Sequence, residues 1–204
     1  MAAPYDAAPI PQGFRFVKTT HGMPPSINEY TIAASQTINP GDLVTLSSGK
    51  VAEFATGDLV FGVAAGYAKT DQSRFSTSLT SNTLDADNTV LVYDDLANTM
   101  FEAVAYDGGG NSEAIRGGTF KLVGGTDDAT RKLSGDYIDS NTAVPQPSDE
   151  GVTTYKSCFR IFDRFIKQST TGDWASYTPD WTANQVVVVG KIETVILQAA
   201  DAGA

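Results

Sequence analysis

The 204-residue sequence has a single cysteine, Cys158, and a single histidine, His21. One cysteine excludes an intrachain disulfide. One His and one Cys exclude a Cys/His zinc site of the usual kind and most nucleophile–base pairs. Basic residues are also scarce: 14 Lys and Arg stand against 24 Asp and Glu, a formal net charge of −10. They form no run, so the clustered cations that phosphate binding needs are missing, and no direct contact with nucleic acid is expected. The acidity itself is expected to serve solubility. No apolar run approaches the roughly 20 residues that span a bilayer, so no membrane partner is expected. Residues 1 to 14 carry neither a basic n-region nor an apolar h-region, and no secretory signal is expected. No Asn-x-Ser/Thr sequon occurs. With the lone cysteine, this fits synthesis in a reducing cytoplasm.

Reactive patterns are equally sparse. There is no G-x-S-x-G elbow. Gly108-Gly109-Gly110 is not followed by Gly-Lys-Ser/Thr and so is no phosphate loop. Asp85-Ala86-Asp87-Asn88 hints at a Ca²⁺ ligand set but lacks the downstream Gly and Glu of an EF-hand loop. A glycosidase needs two carboxylates facing each other across a cleft. Asp94-Asp95 follows a strong strand, where adjacent side chains point apart, so a solvated turn is expected; Asp127-Asp128 sits in a loop. Cys158 lies in the apolar run around Tyr155 and Phe159, where it is expected to act as a small buried hydrophobe. Trp174, Tyr177 and Trp181 are expected to cover a sheet, with a protein contact or a sugar platform as alternatives. No catalytic, cofactor-binding or metal-binding residue is assigned, no cofactor is expected, and the chain is not expected to be an enzyme.

What is present is turn and strand vocabulary. Nineteen Gly and nine Pro, with many Ser, Thr and Asp, favour short strands and long loops over helices. The chain is organised around Ile38 to Tyr67, which repeats one phrase: Gly41-Asp42-Leu43-Val44 and Gly57-Asp58-Leu59-Val60. Glycine tolerates positive φ and aspartate can bond its own nearby backbone, so each pair signals a turn. Strands are expected from Leu43 to Leu46, Lys50 to Phe54 and Leu59 to Ala65, joined as a β-meander.

Elsewhere, strands are expected at Phe14 to Val17, Glu29 to Ala33, Phe75 to Leu79, Thr89 to Tyr93, Met100 to Tyr106, Thr119 to Val123, Tyr155 to Ile166 and Gln185 to Leu197. Thr89 to Tyr93 is almost continuously apolar, which predicts burial on both faces. It is expected to form a hairpin with Met100 to Tyr106. Tyr137-Ile138 stands as an isolated apolar pair. Tyr155 to Ile166 fits a helix or a strand; its aromatic and β-branched content favours the strand. Gly190 marks a bulge or bend. Asn39-Pro40-Gly41-Asp42 fits a type I or II turn. The expected fold is all-β: a short-stranded, meander-containing β-barrel or sandwich with an extended N-terminal arm and long loops. Its parts are an arm over 1–28, an N-terminal β lobe over 29–110 and a C-terminal β lobe over 111–204, the lobes packed as one unit. Pro4, Pro9 and Pro11 keep the start extended, either as a tail or as an arm that orders on a neighbour.

In order, Gly13-Phe14-Arg15, Tyr30 to Ser35, Gly41-Asp42-Leu43-Val44 and Gly62 to Tyr67 are followed by Val92-Tyr93-Asp94-Asp95 and Met100-Phe101-Glu102. Then come Leu133-Ser134-Gly135, Tyr137-Ile138-Asp139, Phe159-Arg160-Ile161 and Val186 to Val189. This collinear series resembles the structural cement (decoration) proteins of tailed bacteriophage heads. It departs at Leu96, where a proline is expected, and over Thr126 to Ser148. The resemblance implies a non-catalytic virion protein on the outer surface of the capsid, bound to the major capsid protein lattice as a homotrimer. The expected capsid or intersubunit contacts are Tyr5, Ile10, Phe14, Arg15, Phe16 and Met23. The alternative is a carbohydrate-binding β-sandwich of a phage tail or surface adhesin.

Overall fold

A computed structural model describes residues 13–33, 36–68, 83–84, 89–127, 134–144, 156–164 and 185–195. These residues are all-β apart from one 3₁₀ turn, Glu113–Ile115. No helix among them is long and apolar enough to cross a membrane. The expected strand at Phe75 to Leu79 and residues 1–12 of the arm expected over 1–28 lie outside the described residues.

The strands are β1 (Arg15–Thr19), β2 (Ile27–Thr31), β3 (Gln36–Thr37), β4 (Leu43–Ser47), β5 (Lys50–Glu53), β6 (Gly62–Ala68), β7 (Thr83–Leu84), β8 (Thr89–Tyr93), β9 (Thr99–Tyr106), β10 (Thr119–Val123), β11 (Tyr137–Ala143), β12 (Lys156–Arg164) and β13 (Gln185–Val195). One sheet runs β1-β9-β11-β10-β12-β13, and β13 also pairs with β9. Five of its strands therefore close into a barrel, with β1 attached alongside. A second sheet runs β2-β8-β6-β4-β5. Its two edges approach through a single parallel bridge, Ile32 to Val51, and Ala33 N–H donates to Val51 C=O at 2.8 Å. β3 and β7 form a separate two-stranded pair.

The central stretch forms the wall between two cores. Along β4, Leu43 packs into the barrel core with Phe14, Phe101, Phe159 and Ile161. Its neighbour Val44 packs into the second core with Ile32, Ile38, Val51, Val90 and Val92. Val63 and Ala64 on β6 divide in the same way. Adjacent strand residues point to opposite faces, so a strand buried on both sides needs apolar residues in pairs, as Leu43-Val44 and Val63-Ala64 supply. Burying a side chain such as Phe101 or Phe159 contributes about 1.5–3 kcal/mol relative to exposure.

Several expectations hold. β12 is a strand, with Phe159 and Ile161 fully buried. On β9, Phe101, Ala103 and Ala105 share the buried face. Gly190 on β13, where a bulge or bend is expected, is instead a point of close approach: an added Cβ would stand 2.0 Å from Arg160 O. The bulge opposite it falls on β12, where the register shifts between Ile161 and Asp163 and Phe162 is left partly exposed.

Four expectations are corrected. β4, β5 and β6 do not follow one another as a meander, because β4 lies between β5 and β6. β8 and β9 are no hairpin: β8 sits in the second sheet and β9 in the barrel, so Asp94 to Asn98 is a crossover between sheets. β8 is not buried on both faces, since Val90 and Val92 are enclosed while Thr89, Leu91 and Tyr93 are half-buried. Tyr137-Ile138 is not isolated but opens β11, which pairs in parallel with β9 and antiparallel with β10. Its polarity hid it: the inward residue after Ile138 is Ser140, a buried hydroxyl that donates to Asn111 Oδ1.

Candidate functional site

The repeated Gly-Asp phrase builds the same turn twice. Gly41 has φ 95° and Gly57 has φ 105°, which suits the third position of a type II turn and fits glycine. In the first copy Asp42 N–H donates to Asn39 C=O at 3.0 Å, and the Asp42 carboxylate accepts from Asn39 N–H. In the second, Asp58 N–H donates to Ala55 C=O at 2.9 Å, and Asp58 Oδ2 accepts from Ala55 N–H at 3.1 Å. The surroundings differ. Asp58 is exposed, whereas Asp42 is 2% exposed.

Three distant segments meet at Asp42. Phe14 N–H donates to Gly41 C=O at 2.8 Å. Leu43 N–H donates to Asp136 Oδ2 at 2.7 Å, and Gly125 N–H to Asp136 Oδ1 at 3.1 Å. Asp127 Oδ1 accepts from Gly135 N–H at 2.8 Å, and its Oδ2 from Asn39 Nδ2 at 2.5 Å. Asp136 N–H donates to Ser134 Oγ at 3.2 Å. Burial and the neighbouring Asp136 and Asp127 raise the Asp42 carboxyl well above its usual range. The Ser134 hydroxyl lies close enough to oppose this, but Asp42 Oδ1 takes no hydrogen bond. Burial likewise pushes Asp136 up to about 7, against the two amides that favour its charge. Among the described residues, no group of three or more His, Cys, Asp or Glu side chains is arranged to hold a metal ion.

A second polar tie holds the crossover. Asp94 Oδ1 accepts from Ser26 Oγ at 2.9 Å, and Oδ2 accepts from Asn28 Nδ2 at 2.7 Å and Tyr30 Oη at 2.5 Å. Burial acts to raise the Asp94 carboxyl, yet these donors win and hold it below the usual range. The same bond pushes the Tyr30 phenol up to about 12. Asp94 is thus a structural acceptor and not the solvated turn residue expected. Asp95 accepts from Asn98 Nδ2 through both oxygens, at 3.2 and 3.0 Å.

The residues expected at an interface are distributed as follows. Tyr5 and Ile10 lie outside the described residues. Phe14 is 2% exposed, its ring 5.7 Å from that of Phe159 inside the barrel core. Phe16 stacks on Tyr93 with ring centroids 5.4 Å apart. Arg15 faces its cross-strand partner Glu102 at 3.8 Å. Met23 is 68% exposed, and its carbonyl accepts from the Thr19 hydroxyl. Asp85, Asp87, Asp128, Trp174, Tyr177 and Trp181 lie outside the described residues.

A small cavity of about 100 Å³ opens beside the second turn, lined by Asp58, Lys121, Leu122, Thr142, Val144 and Ser157 among others. The Ser157 hydroxyl accepts from Val60 N–H at 2.8 Å, and among the described residues the lining holds no His or Cys to serve it as a base. Cys158 is fully buried, with its thiol pushed up to about 12 mainly by burial. Sequence reasoning marked Asp42 as a turn residue and passed over Asp136. The only signal for the cluster is the Ser134-Gly135-Asp136 run, which nothing local connects to Asp42. Comparison of the chain with protein-family models, with curated proteins and with solved structures finds no match in any of the three.

Proposed function

We propose that the chain is a structural virion protein that binds the major capsid protein lattice of a phage head and cements the shell as a homotrimer on its outer surface. The observation that carries this reading is the convergence of its sequence landmarks. Gly13-Phe14, Gly41-Asp42 and Ser134-Gly135, drawn from the series that resembles the cement family, meet in one junction. An added Cβ on Gly13 would lie 2.4 Å from Ser134 Cβ and 2.6 Å from Gly41 O. Residues that dictate such contact are framework residues, and a family framework is what the collinear series describes.

The chemistry of the carboxylates is consistent with this reading. Asp42, Asp94, Asp127 and Asp136 all accept hydrogen bonds that fix backbone or join segments. The residues before Gly13 then act as the arm that reaches a neighbour. A strand or groove contact of this kind is modest alone, and a lattice multiplies it. The test is co-sedimentation with heads of the phage that encodes the protein, prepared without it. The full chain is expected to pellet with heads, and a chain lacking residues 1–12 to pellet several-fold less while keeping its circular dichroism spectrum. Failure of the full chain to bind would overturn the reading. Equal binding of the shortened chain would remove the arm from it.

A further inference from the structure

We propose that Asp42 carries a proton that lets the buried Asp42 and Asp136 and the half-buried Asp127 meet at one junction, and that losing it loosens the docking of residues 124–127 and 134–136 on the 39–43 turn. The geometry assigns the proton. Of the six carboxylate oxygens, five accept from defined donors: Asn39 N–H, Asn39 Nδ2, Gly135 N–H, Leu43 N–H and Gly125 N–H. The sixth, Asp42 Oδ1, is buried; the Ser134 hydroxyl is near enough to act on the Asp42 carboxyl but makes no hydrogen bond of ordinary geometry to Oδ1. Both oxygens of Asp127 and both oxygens of Asp136 already accept N–H donors, which leaves Asp42 Oδ1 as the oxygen with room for a proton. A buried carboxylate oxygen without a hydrogen bond, in the field of Asp136 and Asp127, is costly, and a proton there removes the charge.

The groups that face the site are carboxylates from each packed segment. Asp42 comes from the turn before β4, Asp127 and Asp136 from the segments flanking β10 and β11, and Glu53 from β5. Glu53 is itself raised, by burial and then by Asp127. The largest influences on Asp42 and Asp136 include no lysine, arginine or histidine among the described residues; Arg131 and Lys132 lie outside them. Asp42 and Asp136 are both raised in the folded chain. Their stabilising contribution is therefore complete below the unfolded value of about 4 and is lost as pH rises through the folded values, near 7 for Asp136.

The test is urea unfolding of the full chain between about pH 5 and pH 8, for the native sequence, Asp42→Asn and Asp58→Asn. The native folding constant is expected to fall about tenfold or more across that range. Asp42→Asn, which keeps an acceptor for Asn39 N–H and replaces the proton with an amide, should reduce this fall and leave the part that Asp136 carries as it titrates near 7. Asp58→Asn alters the same turn on the surface and should leave the fall unchanged. A flat native profile, or an undiminished fall in Asp42→Asn, would overturn the proposal. Should Asp42→Asn fail to fold, ¹³C titration of the native aspartate carboxyls decides. Assigned by residue, the Asp42 carboxyl should titrate well above the usual aspartate range and separately from Asp136 near 7, and an Asp42 carboxyl that titrates in the usual range would overturn it.

Discussion

The amide of Phe14 donates to the carbonyl of Gly41 at 2.8 Å, so the first described residues are tied to the turn that launches β4. From there Leu43 and Val44 enter separate cores. The start of the barrel and the wall between the two cores are therefore fixed by one short contact. A change at this point reaches both cores at once.

Gly13 is the position most sensitive to such a change. It has φ +60°, and a Cβ would stand 2.4 Å from Ser134 Cβ and 2.6 Å from Gly41 O. Left-handed backbone costs a non-glycine residue about 1–2 kcal/mol, and overpacking adds about 1–3 kcal/mol. Gly13→Ala should lower unfolding free energy by about 2–5 kcal/mol in urea. Gly22→Ala, at φ +69° with nothing near its added Cβ, should cost only the backbone part. Equal losses in the two variants would show that the junction is not packed as described.

The Asp94 tie predicts a loss of stability in strong acid. Its carboxyl is held below the usual range by Tyr30, Asn28 and Ser26, against burial. A depressed group contributes stability above its unfolded value, and that contribution is lost as pH falls through its folded value. Below about pH 4 the native chain should therefore weaken, opposite in sign to the Asp42 site. Asp94→Ala should cost about 1–3 kcal/mol at neutral pH and blunt the acid loss. Thermal melts at about pH 3 and pH 7 read both effects.

Cys158 should be silent toward thiol reagents. It is fully buried on β12, and its thiol is pushed up to about 12, while the thiolate is the reactive form. An aromatic disulfide reagent at about pH 8 should label less than a tenth of the folded chain and all of it in denaturant. Prompt labelling of the folded chain would contradict the burial.

The fold class was legible because strands declare themselves by alternation and turns by Gly-Asp and Pro-Gly chemistry. Phe101, Ala103 and Ala105 on β9 mark their face without help from the rest of the chain. Strand order was not legible. β5 follows β4 across the Ser48-Gly49 turn, but whether β6 then joins β5 or β4 depends on which apolar face meets the barrel. The β8–β9 connection has the length of a hairpin loop, and nothing local says that Asp94 binds back to Ser26, Asn28 and Tyr30. β11 was hidden because a buried Ser140 satisfied by Asn111 resembles surface polarity in a one-dimensional pattern. Asp42 and Asp58 occupy identical phrases and differ only in what packs on them, so the carboxylate cluster had no local signature.

The measurement that bears most directly on the proposal of a capsid protein is electron microscopy of phage heads made with and without the protein. The account predicts density on the outer surface at three-fold positions that disappears when the protein is omitted. Heads identical in both preparations, with the protein absent from purified particles, would contradict it.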